Sequence, residues 1–223
     1  MKIVVIGDIH GHNSWKDIIN IEKNSDLIIF LGDYFDSFTV EPQEQLSNYL
    51  DIKAFRDSNS DKVVTLIGNH DYQYLYDVKY SGWNPMTNLL AKSIITEDFN
   101  DGKLRFAYKY NDILFSHAGI TRWWMENVAC CSLEDLLNNE VSLKHFHWNS
   151  ILGNDPHGDT ISNSPIWVRP KSLFQSKLYD FKHVVGHTNC KNAYATDNVW
   201  ICDSLPNDYL VIDNDEFLIK KIK

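Results

Sequence analysis

Short apolar runs alternate with amphipathic segments near the start of the chain. The runs at residues 2–6, 26–31 and 62–67 have the length and the β-branched content of buried strands. Between them, apolar residues recur at helical spacing over residues 14–23 and 42–56. This alternation is typical of βαβ units, so it predicts a parallel sheet with helices packed against it.

The second half of the chain has a different pattern, in which short β-rich runs are separated by turns. A hairpin is predicted across Asn111-Asp112, and we expect the four runs that follow from Lys182 onward to form a second sheet. Between these parts, residues 121–175 combine helical spacing with clustered tryptophans and the capping sequence Ser132-x-x-Asp135. We therefore expect a helical insertion, whose tryptophans pack in a core or a cap.

Composition indicates one soluble domain over residues 1–223. Hydrophobic residues make up 43% and charged residues 23%, and no linker-like segment divides the chain. No apolar stretch approaches the roughly 20 residues that a membrane span needs, and the first residues lack the features of a secretory signal. The four cysteines show no paired CxxC spacing, so we expect reduced thiols and a cytoplasmic protein.

The formal charge of −9 argues against general nucleic-acid binding, which depends on a basic surface. The acidic residues could instead be concentrated in one cleft. Bound divalent cations would offset such a cleft and allow it to accept an anionic substrate.

Polar clusters follow the apolar runs at five points. In chain order they are Asp8-x-His10, Gly32-Asp33-x-x-Asp36, Gly68-Asn69-His70, Ser116-His117-Ala118-Gly119 and Gly186-His187. Because ligands bind at the carboxyl ends of parallel strands, we expect these clusters to meet around one point.

These clusters supply carboxylate, imidazole and amide oxygen donors, which suit Mn²⁺, Fe²⁺ or Zn²⁺. The candidate ligands exceed the need of one ion, so a bridging carboxylate would hold two ions about 3.5–4 Å apart. Such a pair activates a bridging water and neutralises the oxygens of an in-line phosphoryl transfer. The candidates are Asp8, His10, Asp33, Asn69, His117 and His187.

In this order the five motifs resemble the series found in the calcineurin-like metallophosphoesterase superfamily. The matching stretches GDIHG, GDYFD, GNHD, SHAG and VGHT span residues 8–187. Within the superfamily, DIHGH, HAGI and IWVRP are most similar to the phosphoprotein phosphatase type, which includes small phage and bacterial phosphatases and symmetrical diadenosine tetraphosphatases. The resemblance implies an α/β fold of the α+β kind: a four-layer αββα sandwich of two mixed β-sheets flanked by helices, with a dinuclear metal site at the strand C-terminal ends.

The resemblance also implies roles for individual residues. Asp8, His10 and Asp33 would bind one metal, and Asp33, Asn69, His117 and His187 the other, with Mn²⁺ expected first and Fe, Zn, Ni or Co as alternatives. His70 would act as the general acid toward the leaving oxygen, with Asp36 orienting it. Arg169 and Asn69 would bind the phosphate group.

Departures from the usual motifs bear on specificity. Phosphoprotein phosphatases usually carry Asp-Arg-Gly after the second motif and an arginine before Gly-Asn-His, whereas this chain has Asp36-Ser37-Phe38 and Ile67. A phosphate-binding arginine is thus missing, and Arg122 is the best candidate to replace it. Asn189 stands where many phosphodiesterase branches carry a second metal-binding histidine.

Three functions remain open at this point. The first is a phosphomonoesterase acting on a phosphorylated protein, nucleotide or small molecule. The second is a nucleotide pyrophosphohydrolase, a nucleic-acid phosphodiesterase or an end-phosphatase, and Asn189 and the acidic charge weigh against the nuclease. The third is a non-catalytic metal-binding scaffold, against which the presence of both His70 and Asp36 weighs. The sequence leaves the substrate, the native metals and the oligomeric state undetermined.

Overall fold

The computed structural model describes residues 1–148 and 159–222. In these ranges the strands are β1 Lys2–Ile6, β2 Leu27–Phe30, β3 Val63–Leu66, β4 Leu104–Arg105, β5 Ala107–Tyr110, β6 Ile113–Ser116, β7 Lys182–Val185, β8 Tyr194–Thr196, β9 Val199–Ile201, β10 Asp208–Asp213 and β11 Glu216–Lys221. The α-helices are α1 Ser14–Ile21, α2 Pro42–Ser58, α3 Asn69–Leu75, α4 Pro85–Asn100, α5 Arg122–Trp124, α6 Leu133–Leu137 and α7 Pro170–Ser176.

The first sheet has the strand order β11-β10-β1-β2-β3-β4. Strands β1 to β4 run parallel, and β10 is antiparallel to both β1 and β11. The three strands predicted near the start of the chain are confirmed, with ends that differ by no more than one residue. Helices α1 and α2 connect them, as the alternating pattern predicts.

The second sheet has the order β5-β6-β7-β9-β8, and the hairpin across Asn111-Asp112 is confirmed as β5 and β6. The expectation that all four C-terminal runs belong to this sheet is wrong for the last two. Strands β10 and β11 extend the first sheet, where Lys2 pairs with Asp213 and Val4 with Val211. This pairing covers the edge of β1, which would otherwise expose unpaired backbone groups.

The faces of the first sheet pack against different layers. In β1, Ile3 and Val5 belong to an apolar cluster that joins the two sheets, whereas Val4 and Ile6 pack on the helix side with residues of α1 and α2. On the far side of the second sheet, Leu173 of α7 packs with residues of β7 and β9. The layers are therefore helix, sheet, sheet and helix, which confirms the predicted αββα architecture.

The interval from 121 to 175 carries α5, α6 and α7, a π-helix at Met125–Ala129 and a 3₁₀ segment at Leu143–Phe146. Residues 149–158 of the predicted insertion lie outside the described residues. Within the described part of the chain, no helix combines the length and the apolar character needed to cross a bilayer.

Candidate metal centre

Turns that follow parallel strands of both sheets meet at one place. Asp8 follows β1, Asp33 follows β2, and His117 and His187 follow β6 and β7. The Asp33 carboxylate accepts a hydrogen bond from the His70 backbone N–H (2.9 Å), and the Asp8 carboxylate accepts one from the His187 backbone N–H (3.0 Å). Asp8 follows a strand of the first sheet and His187 a strand of the second. The Asp8–His187 bond therefore connects the loops of the two sheets.

Two glycines allow this close approach. A Cβ atom on Gly68 would lie 2.0 Å from Asp33 Oδ1, and a Cβ atom on Gly186 would lie 2.0 Å from Asp8 Oδ1. Any side chain at either position would displace a carboxylate of the centre. The glycines of the third and fifth motifs are therefore required by the space that the carboxylates occupy.

Three of the predicted ligand imidazoles each bond a backbone carbonyl oxygen through one ring nitrogen. The pairs are His10 Nδ1 with Phe35 (2.7 Å), His117 Nδ1 with Leu31 (3.0 Å) and His187 Nε2 with Trp167 (3.1 Å). A carbonyl can only accept, so the bonded nitrogen carries a proton and the other nitrogen is the one that a cation could bind. Hydrogen bonds of this kind orient metal-binding histidines in proteins.

Donor atoms form two groups that share one carboxylate. His10, Asp33 and His70 supply atoms within 4.8 Å of one another, and so do Asp33, His117 and His187. Asp33 Oδ2 lies 3.7 Å from His10 Nε2 and 3.3 Å from His117 Nε2. Asn69 reaches the second group, because its Oδ1 lies 3.0 Å from His117 Nε2.

The centre concentrates negative charge in a buried place. Burial and the nearby Asp203 carboxylate raise the pKa of Asp8 well above its ordinary value. Burial works against the charged form of His117, but Asp33 and Asp8 outweigh it and raise the pKa of His117 to about 10. Burial and the neighbouring His117 lower the pKa of His187, which favours the neutral ring. The shared carboxylate, the imidazole and amide donor atoms and the excess negative charge fit two divalent cations.

His70 has a different partner from the three imidazoles above. Its Nδ1 lies 3.0 Å from Asp36 Oδ2, so a carboxylate holds it in place of a carbonyl. Burial lowers the pKa of His70, but the Asp33 and Asp36 carboxylates outweigh burial and raise it above the ordinary value. The surroundings of His70 therefore favour a proton on this ring.

Asp36 is held by two further side chains of α3. Gln73 Nε2 and Tyr74 Oη both donate hydrogen bonds to its carboxylate. The same two side chains also accept hydrogen bonds from the next loop. Gln73 Oε1 accepts one from the Tyr80 backbone N–H (3.0 Å), and Tyr74 Oη accepts one from the Asn84 backbone N–H (3.1 Å). The loop is thus connected to the carboxylate that orients His70.

Gly82 brings this loop into direct contact with the pair. A Cβ atom on Gly82 would lie 3.2 Å from both His70 Cε1 and Asp36 Cβ, and its φ of +86° is one that other residues rarely adopt. The Gly-Asn-His sequence alone gives no sign of this contact. The loop at residues 80–87 therefore borders the His70–Asp36 pair.

Asp71 caps the start of α3 and has a structural role. Its carboxylate accepts hydrogen bonds from the backbone N–H groups of Gly68 (2.9 Å), Asp33 (2.8 Å) and Tyr34 (2.8 Å). Asp71 is the third residue of α3, and its bond to the Gly68 N–H forms part of the capping box of that helix. These bonds fix the turns after β2 and β3 relative to each other, so Asp71 supports the geometry of both.

A cleft of about 710 Å³ opens over the centre. Most of the predicted site residues line it, including Asp8, His10, Asp33, Asp36, Asn69, His70, Arg169 and His187, while His117 is buried beneath. Arg169 donates from Nη1 to the His187 carbonyl (3.3 Å) and to Thr188 Oγ1 (3.4 Å). These bonds hold its guanidinium group beside the centre.

Arg122, the candidate for the missing arginine, lies apart from the other predicted site residues. It does not line the cleft, its side chain is 53% exposed, and Nη1 lies 3.9 Å from Glu126 Oε1 one turn along the chain. The physical reason is that α5 begins at Arg122 and presents it at the molecular surface. The structure thus places Arg122 outside the group of residues that line the cleft.

Asp203 is a cleft residue that the sequence reasoning missed. It follows β9, is 7% exposed and bonds the side chain of Asn189. It lacks the glycine and histidine neighbours that mark the other clusters. Its position directly after an apolar run was the available signal.

Comparison with known proteins bears on this arrangement of motif residues. The profile of the calcineurin-like phosphoesterases matches residues 1–191. The chain belongs to the calcineurin-like phosphoesterase family. Membership implies metal dependence, in accord with the two donor groups at the centre. No curated protein sequence matches the chain significantly.

Solved structures from this family have a similar fold. A cold-active protein-tyrosine phosphatase of the psychrophile Shewanella sp. has a TM-score of 0.63 at 17% identity, over 100% of this chain and 80% of that one. A Saccharomyces cerevisiae protein serine/threonine phosphatase with similarity to human phosphatase PP5 has a TM-score of 0.62 at 15% identity, with the same coverage. A metallophosphoesterase from Sphaerobacter thermophilus has a TM-score of 0.54 at 14% identity, over 100% and 89% of the chains. At these identities the likeness establishes the fold.

Proposed function

We propose that this calcineurin-like phosphoesterase is a dinuclear-metal-dependent phosphomonoesterase, similar to the serine/threonine protein phosphatases, with His70 as its general acid. The observation that carries the proposal is the His70–Asp36 pair, at 3.0 Å, next to the carboxylate shared by two donor groups. This arrangement joins a proton donor to a cation-binding centre in one cleft.

The donor sets divide between two cations. Asp8, His10 and Asp33 would hold one ion, and Asp33, Asn69, His117 and His187 would hold the other, with Mn²⁺ as the first expectation. When bound, such a pair supplies positive charge toward the phosphate oxygens and a water of lowered pKa. The carbonyl bonds to the three imidazoles fix the orientation of each ring, and the other ring nitrogen would bind the ion in its unprotonated form.

The protein's own groups act on the leaving side of the ester. His70, with Nδ1 held by Asp36, would transfer its Nε2 proton to the ester oxygen as the bond between phosphorus and that oxygen breaks. A water oxygen bonds to phosphorus as the ester bond breaks, so the products are an alcohol or phenol and inorganic phosphate. The guanidinium group of Arg169 would bind two phosphate oxygens, for which its planar fork is suited.

Monoesters are favoured over diesters by one residue of the fifth motif. Asn189 lines the cleft and bonds Asp203, in the place where many phosphodiesterase branches carry a second histidine. The four cysteines are free, and on that ground we also propose a cytoplasmic location.

The experiment is a substrate comparison with metal-loaded protein. Phosphate release is measured from a phosphoserine peptide, p-nitrophenyl phosphate, bis-p-nitrophenyl phosphate, diadenosine tetraphosphate and a 5′-phosphorylated oligonucleotide. We expect turnover of the monoesters with Mn²⁺ and little of the diester. A strong preference for the diester or the dinucleotide would contradict the proposal, as would folded protein that loads Mn²⁺, Fe²⁺, Zn²⁺, Ni²⁺ or Co²⁺ and turns over nothing.

A further inference from the structure

Two large aromatic side chains of the cleft are exposed. Phe38 is 86% exposed, the highest value among the large apolar side chains of the described residues, and Trp148 is 42% exposed. Both line the cleft over the metal centre. Single exposed apolar side chains are ordinary on protein surfaces, but two on the same cleft indicate contact with a ligand.

Both rings belong to segments that adjoin the His70–Asp36 pair. Phe38 follows Asp36 by two residues. The Trp148 backbone N–H donates to Tyr80 Oη (3.3 Å), and Tyr80 begins the loop whose Gly82 contacts His70. Since His70 would protonate the leaving oxygen, these two segments border the leaving-group side of the cleft.

Apart from the His70–Asp36 pair, the polar lining of this side consists of uncharged hydroxyl groups. Ser37, Thr39 and Ser81 contribute hydroxyl groups there, and Arg169 is the one lysine or arginine among the described lining residues. A polyphosphate chain would bring several negative charges and would need more cations than the cleft offers. A leaving group without charge, and with an aromatic face, fits this lining better.

We propose that the leaving group is a phenol, so that the substrate class is the aryl phosphate monoester, of which phosphotyrosine in a protein is the example. The ring of such an ester is bonded directly to the oxygen that His70 protonates, within the part of the cleft bordered by Phe38 and Trp148. A serine or threonine leaving group is small and aliphatic and would leave both aromatic faces uncovered. This inference rests on the phosphomonoesterase activity proposed above.

The test compares variants on two peptides that differ only in phosphotyrosine or phosphoserine. Phe38→Ala and Trp148→Ala should each lower kcat/KM for the phosphotyrosine peptide by about 10-fold, the size expected for an aromatic contact, and change the phosphoserine value by less than about 2-fold. Phe38→Leu keeps an apolar side chain without a ring and should lose most of the same factor. Each variant is compared with wild type on the same peptide, which cancels the easier departure of a phenol.

Leu89→Ala is the matched control, because Leu89 is 76% exposed and does not line the cleft. If Trp148→Ala fails to fold, the Phe38 variants test the proposal by themselves. The Phe38 side chain is so exposed that its replacement should cost little packing. Equal losses on both peptides would overturn the aryl assignment while leaving the phosphomonoesterase intact. Adenosine monophosphate is a third arm, and a larger loss there than on phosphotyrosine would assign the rings to a nucleobase. Wild-type protein that releases phosphate from none of these monoesters would overturn both proposals.

Discussion

Ring-nitrogen partners divide the histidines of the centre into two chemical types. His10, His117 and His187 each donate to a backbone carbonyl oxygen, which orients the ring and leaves its other nitrogen for a cation. His70 bonds a carboxylate, which favours the protonated ring. The motif positions place all four histidines around one point. The type of each histidine is determined by the group that its ring nitrogen contacts in the folded chain.

The residues of the centre were predictable where each stood in a short motif with other residues of similar chemistry. Asp8, Asp33 and Asn69 stand in motifs with glycine and histidine, and the structure brings them together. Arg122 is close in sequence to a motif, but α5 begins at this residue and places its side chain away from the cleft. Asp203 lacked such neighbours, because its contact with Asn189 depends on the pairing of two strands in the second sheet.

Replacing the proposed acid should show its role in the choice of leaving group. His70→Asn should lower kcat for the phosphoserine peptide by about 10²–10⁴-fold with metal content unchanged. The loss on p-nitrophenyl phosphate should be smaller, because nitrophenolate departs more readily without a proton. His145→Asn is the matched control, since His145 does not line the cleft. Equal losses on the two substrates would argue against proton transfer by His70.

Strand assignment marks the limit of sequence reasoning at the level of elements. The buried runs of β1, β2 and β3 and the hairpin of β5 and β6 are local patterns, and they were predicted correctly. The runs of β10 and β11 look the same as those of β7 and β9, yet β10 pairs with β1 across almost the full chain. Which sheet a strand joins depends on its pairing with residues that are distant in sequence. The hydrophobic period and the composition of the strand itself do not encode that pairing.

The loop at residues 80–87 offers a prediction at this scale. In Gly82→Ala, the added Cβ would press on His70 and Asp36 from 3.2 Å, so kcat should fall by about 3–30-fold with metal content unchanged. Gly102→Ala is a closely matched control, because Gly102 also has a positive φ, +68°, but nothing lies within 4 Å of its Cβ position. The two variants should lose similar stability, about 1 kcal/mol. Comparable kcat values for both would contradict the proposed contact.

Across the whole molecule, the two packed sheets bring together motif residues that are far apart in sequence. The turns after β1, β2 and β3 come from one sheet and those after β6 and β7 from the other. The predicted sandwich is confirmed, whereas the single-domain assignment for residues 1–223 stays a prediction. The aromatic lining of the cleft was beyond the sequence, because Phe38 and Trp148 lie on separate segments with no shared motif.

A buried ion cluster formed by residues outside the five motifs should make stability depend on pH. Burial opposes ionisation of Glu22, but hydrogen bonds from Lys2, Lys220 and Tyr209 outweigh it and lower its pKa from 4.5 to about 2. A carboxylate with a lowered folded-state pKa stabilises the fold above the unfolded value, and this stabilisation is lost as pH falls from 4.5 to 2.

Glu22→Gln should therefore lower the free energy of unfolding by about 1–3 kcal/mol at pH 7, the range expected for hydrogen bonds to a charged group. The difference between variant and wild type should shrink below pH 4.5. Urea unfolding of both proteins at several pH values, in excess chelator, measures it. A difference that is constant with pH would contradict the ionised state of Glu22 in the folded protein.

Metal titration of stripped protein tests the central claim most directly. Protein freed of metal by a chelator is titrated with Mn²⁺ while phosphate release from p-nitrophenyl phosphate and bound metal are both measured. The account predicts no turnover without metal and a plateau at about two ions per chain, the number of a bridged pair. It also predicts that Asp33→Asn, which alters the shared ligand, fails to reach that plateau. Full turnover by the stripped protein, or saturation at a single ion, would contradict it.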